Sequence, residues 1–184
     1  MADPPERSFI LRDSFKNALN KLGQPQIYKK LVGVLAFLPP PVAVPSIARI
    51  AGCTEDTVRD FAFDLAPGLR LRKGSITIAD EDFDAFIKAE GTDNRDEILA
   101  EIAEDFLKTF QTDSYSSIHV ADALIDAGRA WDVLSVIERD PQAAAIDDPI
   151  VRRQIQIRRL KLSLAACKEA DSATDALPLS INRL

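Results

Sequence analysis

The chain has 184 residues, 46% of them apolar, which is enough to build a proper core and too much for a disordered chain. Its 29 acids and 23 bases leave a net charge of −6 that gathers toward the C-terminus: residues 1–24 hold 4 bases and 3 acids, residues 25–90 hold 8 and 9, and residues 91–184 hold 11 and 17. That distribution disfavours nucleic acid or an anionic membrane as a partner of the C-terminal half.

Met1-Ala2-Asp3-Pro4-Pro5-Glu6-Arg7 has no apolar core of a signal peptide and is expected to be a disordered leader or the ragged edge of a larger protein. Phe15, Leu19 and Leu22 recur at helical spacing before Gly23, which predicts a connecting helix over residues 9–22. Pro25 opens a second helix whose apolar positions are Ile27, Leu31, Val34, Leu35 and Leu38, and Pro39-Pro40-Pro41 ends it. A short helix follows over residues 44–53, with Pro45 in its opening turn and Gly52 just past its end. Thr54 caps the next. There Val58, Phe61, Ala62 and Leu65 make one stripe, and Pro67-Gly68 stops it.

Leu69, Leu71, Ile76 and Ile78 then alternate with Arg70, Arg72 and Thr77 around Lys73-Gly74, the pattern of a tight β-hairpin. Phe83, Phe86 and Ile87 mark a closing helix. Two short helices, a hairpin and a closing helix make residues 25–90 a winged helix in pattern. In a DNA-binding version the outward face of the second helix meets phosphates and base edges, where positive charge is needed. Here that face carries Glu55, Asp56, Asp60 and Asp64 against Arg59 alone.

From residue 91 the texture changes to short helices separated by single Gly, Pro or Asp signals, with no strand alternation. Residues 96–110 place Ile98, Ile102, Phe106 and Phe110 at four-residue steps. Residues 116–127 carry Ile118, Val120, Ala121, Leu124 and Ile125 before Gly128, and residues 131–139 are expected to form a third helix that packs Trp131, Leu134 and Ile137, with Trp131 as the large knob joining neighbouring helices. Asp148 caps a fourth helix with Pro149 at its first position. In it Val151, Ile155, Leu162 and Ala166 share one sector while Ile150, Ile157, Leu160 and Leu164 share the opposite one, with Arg152 and Arg159 on one flank and Arg158 and Lys161 on the other. Such a helix has two faces to bury, as in a solenoid of stacked antiparallel pairs. No repeat of fixed period is present, and the tail after about residue 170 is expected to be flexible.

Chemistry is sparse. Gly68-Leu69-Arg70-Leu71-Arg72-Lys73-Gly74-Ser75 puts Lys before Gly across a hairpin, so it is no phosphate loop. His119 is the only histidine, and Cys53 and Cys167 lie far apart, which leaves little for nucleophilic catalysis, a metal site or a disulfide framework. No catalytic residue, cofactor or metal is expected. The acids of Asp80-Glu81-Asp82-x-Asp84 suit a helix N-terminus better than a calcium loop. Arg70, Arg72 and Lys73 are the best polar site; an edge strand protected by charge accounts for them simply, and a docking surface for an acidic partner or phosphate backbone is the functional alternative. Arg152 and Arg159 join them as candidate interaction residues.

The pattern Tyr28-x-x-Leu31-x-x-Val34-Leu35-Ala36-x-Leu38, then Val44-Pro45-x-x-x-Ala48-x-Ile50-Ala51, then the hairpin, and then Ile102-Ala103-x-x-Phe106-Leu107 and Tyr115-Ser116-x-x-His119-Val120-x-x-Ala123-Leu124-x-x-Ala127-Gly128 carries a resemblance. Residues 27–139 resemble the region after the nucleotide-binding core of STAND-type signal-transduction ATPases, the NACHT and AP-ATPase relatives. The resemblance implies a winged helix that packs on an ATPase core and helps hold an inactive, ADP-bound state, with a repeat array beyond it that senses or scaffolds. Many relatives have a His two residues before a Ser-Phe pair that can contact the nucleotide's β-phosphate. This chain has Asp80 at that place, Asp82 for the Ser and Ala85 for a later Asp, keeping Phe83, Phe86 and Ile87. A carboxylate there repels phosphate.

The sequence thus predicts a mainly α protein: a disordered leader and connecting helix over 1–24, a winged helix over 25–90 and a helical-repeat-like, solenoid-like array over 91–184. The expected role is a non-catalytic, cytoplasmic regulatory segment that binds proteins, among them an ATPase core in the same or another chain, with self-association through the helical half and no membrane or nucleic-acid partner. The alternative is a winged-helix transcription regulator with a helical dimerisation or effector domain.

Overall fold

The computed structural model describes residues 25–66 and 68–175, and within the helix expected over 9–22 only Asp13 and Asn17, both helical. The rest of that helix, the leader and residues 176–184 lie outside the described residues. Among the described residues the protein is mainly helical, with a small three-stranded antiparallel sheet. No described helix is long and apolar enough to cross a membrane. The chain divides into two units, Met1–Asp105 and Phe106–Leu184.

In the first unit, α1 (Pro25–Phe37) ends just before the proline triplet and buries Leu31, Val34 and Leu35, with Leu38 buried immediately after it. Helix α2 (Val44–Ala51) closes on Gly52, whose φ of 69° is the left-handed conformation that glycine adopts freely. Helix α3 (Glu55–Asp64) opens on Thr54, whose hydroxyl accepts the Thr57 N–H at 3.2 Å. Its apolar stripe packs Phe61 edge-on against Tyr28 with ring centroids 4.9 Å apart, and the Tyr28 hydroxyl donates to Asp64 Oδ2 at 3.0 Å.

Strands β2 (Leu69–Arg72) and β3 (Ser75–Ile78) pair with Arg72 opposite Ser75, leaving Lys73 and Gly74 as a two-residue turn with φ of 49° and 76°. Both positive values fit the primed turn that matches strand twist. A strand not expected from the sequence, β1 (Val42–Ala43), pairs with β3 through Val42 and Ile76, so the sheet order is β1-β3-β2. Two residues after three prolines carry no alternation to read. Helix α4 (Glu81–Glu90) buries Phe83, Phe86 and Ile87 and leads through a 3-10 turn, Thr92–Asn94, into α5 (Arg95–Thr109).

The division of the chain falls inside α5. Residues 91–105, whose texture in sequence belongs to the helical half, pack in the first unit: Ile98 lies over Gly33, Lys30 Nζ pairs with Glu101 at 2.7 Å, and Arg49 holds Asp105 through two bonds of 2.7 and 2.9 Å. Helices α1 and α4 pack so closely that a Cβ on Gly91 would lie 2.7 Å from the Ala36 Cβ and 3.2 Å from the Gly33 Cα. Replacing Gly91 by alanine is therefore expected to lower stability by about 1–3 kcal/mol in urea unfolding, because overpacking outweighs the smaller entropic gain. An unchanged midpoint would mean the crossing relaxes freely.

The second unit holds the end of α5 followed by α6 (Ser114–Asp126), α7 (Asp132–Arg139) and α8 (Pro149–Asp175). Asp113 caps α6 by accepting the Ser116 N–H at 3.2 Å, and Asp148 caps α8 by accepting from Ile150 and Val151 at 2.8 and 3.2 Å. Phe106, Phe110, Val120, Leu124, Val133 and Val136 form its interior. Helix α7 is turned relative to expectation: Val133 and Val136 face inward, while Trp131 is 56% exposed and Leu134 is also exposed. An eight-residue helix has room for one buried stripe, and the two valines one turn apart fill it. Trp131 stands at the residue before the helix and is not a knob between helices.

Candidate functional site

On the hairpin, alternation sends Leu69 inward and leaves Arg70 and Arg72 on the opposite side of β2, with Lys73 in the turn. All three bases are exposed, and among the described residues no carboxylate pairs with them. Thr77 Oγ donates to the Arg70 carbonyl at 3.3 Å. The three form a compact positive tip.

The outward side of α3 has the opposite sign. Asp56 and Asp60 are exposed, and Arg59 is committed locally to Glu55 at 2.6 Å and Asp56 at 2.9 Å. Phe63, 68% exposed, lies on the same side one turn beyond Asp60. A face with this charge repels a phosphate backbone, and the charge of its one arginine is already met by Glu55 and Asp56.

Asp80 has an identifiable task. Its carboxylate caps α4 by accepting the Phe83 N–H at 3.0 Å, and Asp84 behind it binds Lys88 at 2.6 Å. The acids after the hairpin therefore serve a helix N-terminus.

In the second unit the two arginines proposed for interaction turn inward. Arg152 donates from Nε to the Ile146 carbonyl at 2.8 Å. Arg159 is only 2% exposed: Nη1 donates to the Asp140 carbonyl and Nη2 to the Ser117 carbonyl, each at 3.0 Å, while Nη2 also reaches Ser117 Oγ at 2.9 Å. The guanidinium carbon lies 5.8 Å from the Phe110 ring centroid. Burial pulls its pKa below the ordinary value, and the Asp140 carboxylate works against that. Arg159 is thus an internal strut that burial keeps from any partner protein, its Nε enclosed without a hydrogen bond, because its flank of α8 is the centre of the buried side. The solvent side belongs to Ile150, Ile157, Leu160 and Leu164, all exposed.

His119 is half-buried on α6, its ring 4.7 Å from that of Tyr115. Burial lowers its pKa below 6.5, Asp122 opposes that shift, and Arg158 adds to it. Among the described residues no three His, Cys, Asp or Glu side chains converge so as to hold a metal ion.

No family model matches the chain, and no curated protein matches it significantly. Chemical reasoning on the residues therefore carries the functional argument. What sequence reasoning missed was Trp131 and Leu134 as surface residues and Phe63 as an exposed aromatic. The signal for Phe63 was available, since it falls outside the stripe of Val58, Phe61, Ala62 and Leu65.

Proposed function

We propose that this chain is a non-catalytic regulatory and protein-interaction segment of a STAND-like signalling ATPase, a winged helix followed by the first helices of a stacked array. It relays or holds the state of a nucleotide-binding core and scaffolds other proteins. The observation that carries this reading is the acidic exterior of α3, the element that reads the major groove in DNA-binding winged helices. The order of two short helices, a hairpin and a closing helix supports the winged-helix part, as does β1 joining the hairpin at β3. The apolar solvent side of α8 supports the array, because a helix at the end of a stack keeps the face that its next neighbour would cover.

The second reading, a winged-helix transcription regulator, draws on the exposed Arg70, Arg72 and Lys73 of the hairpin. The exposed Asp56 and Asp60 of α3 oppose any help from those three bases, and three phosphate contacts alone give weak, sequence-blind binding that salt erodes. Gel shifts with duplex DNA at physiological salt are expected to give dissociation constants no tighter than about 10⁻⁵ M and no sequence preference. Nanomolar, selective binding would replace this reading by the regulator. Calorimetry with ADP is expected to give no heat of binding at micromolar concentrations, since Asp80 stands as a carboxylate where relatives contact phosphate.

A further inference from the structure

The solvent side of α8 is apolar and basic at once. Ile157, Leu160 and Leu164 step by three and four residues, and Ile150 lies two turns before them, so the stripe runs about 21 Å along the helix. Leu164 is 61% and Ile150 69% exposed, and the four together make a contiguous apolar stripe and not a single scattered residue. Within the stretch 149–168 there are six bases, Arg152, Arg153, Arg158, Arg159, Lys161 and Lys168, and no acid. The first and fourth of these bond inside the unit, and Arg158 holds Asp122 at 2.8 Å. Arg153, Lys161 and Lys168 are exposed beside or within the apolar stripe, and among the described residues no carboxylate pairs with Arg153 or Lys161.

We propose that this face docks an acidic amphipathic helix, one whose apolar stripe covers Ile157, Leu160 and Leu164 and whose flanking Glu or Asp residues meet Arg153, Lys161 and Lys168. Charge complementarity selects that occupant. A second copy of the same face would set Arg153 and Lys161 against their own counterparts with no acid between them, and like charges at helix flanks oppose pairing. An anionic bilayer is a continuous surface that would meet the exposed Asp147 and Asp148 at the start of the stripe as well as the bases, whereas an acidic helix covering Ile157, Leu160 and Leu164 can end short of those two carboxylates. The inference rests on the reading of the chain as an interaction segment and adds the chemistry of the partner.

The test uses the whole chain and two labelled synthetic helices of about three heptads, both with Leu at the a and d positions, one with Glu and the other with Lys at the flanking e and g positions. Fluorescence anisotropy is expected to show the Glu helix binding at least about tenfold more tightly than the Lys helix, with the difference shrinking as salt rises. The double variant Arg153→Glu, Lys161→Glu changes only exposed side chains. It is expected to melt like wild type and to lose or reverse the preference. Equal binding of the two helices, or binding of neither, would overturn the proposal while leaving the DNA and ADP results to judge the broader reading. Two further outcomes also overturn it: a dimer in sedimentation that the double variant alters, which assigns the face to a second copy, or flotation with phosphatidylserine-containing vesicles that the double variant abolishes, which assigns it to lipid.

Discussion

Replacing Arg159 by leucine is expected to cost the second unit about 3–5 kcal/mol, among the largest effects of any single substitution in this chain. The guanidinium supplies hydrogen bonds to carbonyls at Ser117 and Asp140 and to the Ser117 hydroxyl, joining α6, the segment before α8, and α8 itself. It also lies 3.6 Å from Asp140 Oδ2, too long for a hydrogen bond but close enough to compensate a carboxylate that is almost wholly buried. Leucine would leave that carboxylate and the carbonyls without compensation. Asp140 Oδ1 has a separate use, since it accepts the Ala144 N–H at 3.0 Å, and asparagine can keep that bond. The double variant Arg159→Leu, Asp140→Asn is therefore expected to recover part of the loss, because removing both charges avoids a lone buried ion. Urea unfolding of the two variants measures both effects. A single variant as stable as wild type would mean that water reaches Asp140 and that Arg159 is no strut.

Local chemistry explains what was legible in the sequence. Thr54, Asp80 and Asp148 act as caps because each accepts a backbone N–H within three residues of itself, and the turn is legible at Gly74, whose positive φ costs glycine nothing. Arg159 was misplaced for the opposite reason. Its partners lie 19 and 42 residues away, and nothing in a periodic pattern tells a base that finds distant carbonyls from one that stays in water. Trp131 was misplaced because size suggested burial, whereas the paired valines of α7 claim the interior. Among the proposed interaction residues, Arg70, Arg72 and Lys73 stand at the surface as their alternation with Leu69 and Leu71 indicates, and only the arginines of α8 needed the fold to be placed.

The two sides of α8 should respond very differently to the same change. Ile155 is buried among Ala143, Ile146, Ile118 and Val151, and Leu162 is half-buried on the same side of the helix. Ile155→Asp is expected to lower unfolding free energy by several kcal/mol, since a carboxylate there has no partner and must stay charged in apolar surroundings or take up a proton. Leu162→Asp should fall short of that in proportion to its partial exposure. Leu164→Asp, on the far side, is expected to stay within about 0.5 kcal/mol of wild type. The same Leu164→Asp variant should nevertheless lose binding to the acid-flanked helix, because a carboxylate would stand in the apolar stripe and repel acidic flanks. Thermal melts separate stability from docking, and their divergence is the signature of a helix with one face committed to its own unit and the other to a partner. If Ile155→Asp and Leu164→Asp shift the melting temperature equally, the second face is covered within the chain, and α8 is an interior helix and not the open end of an array.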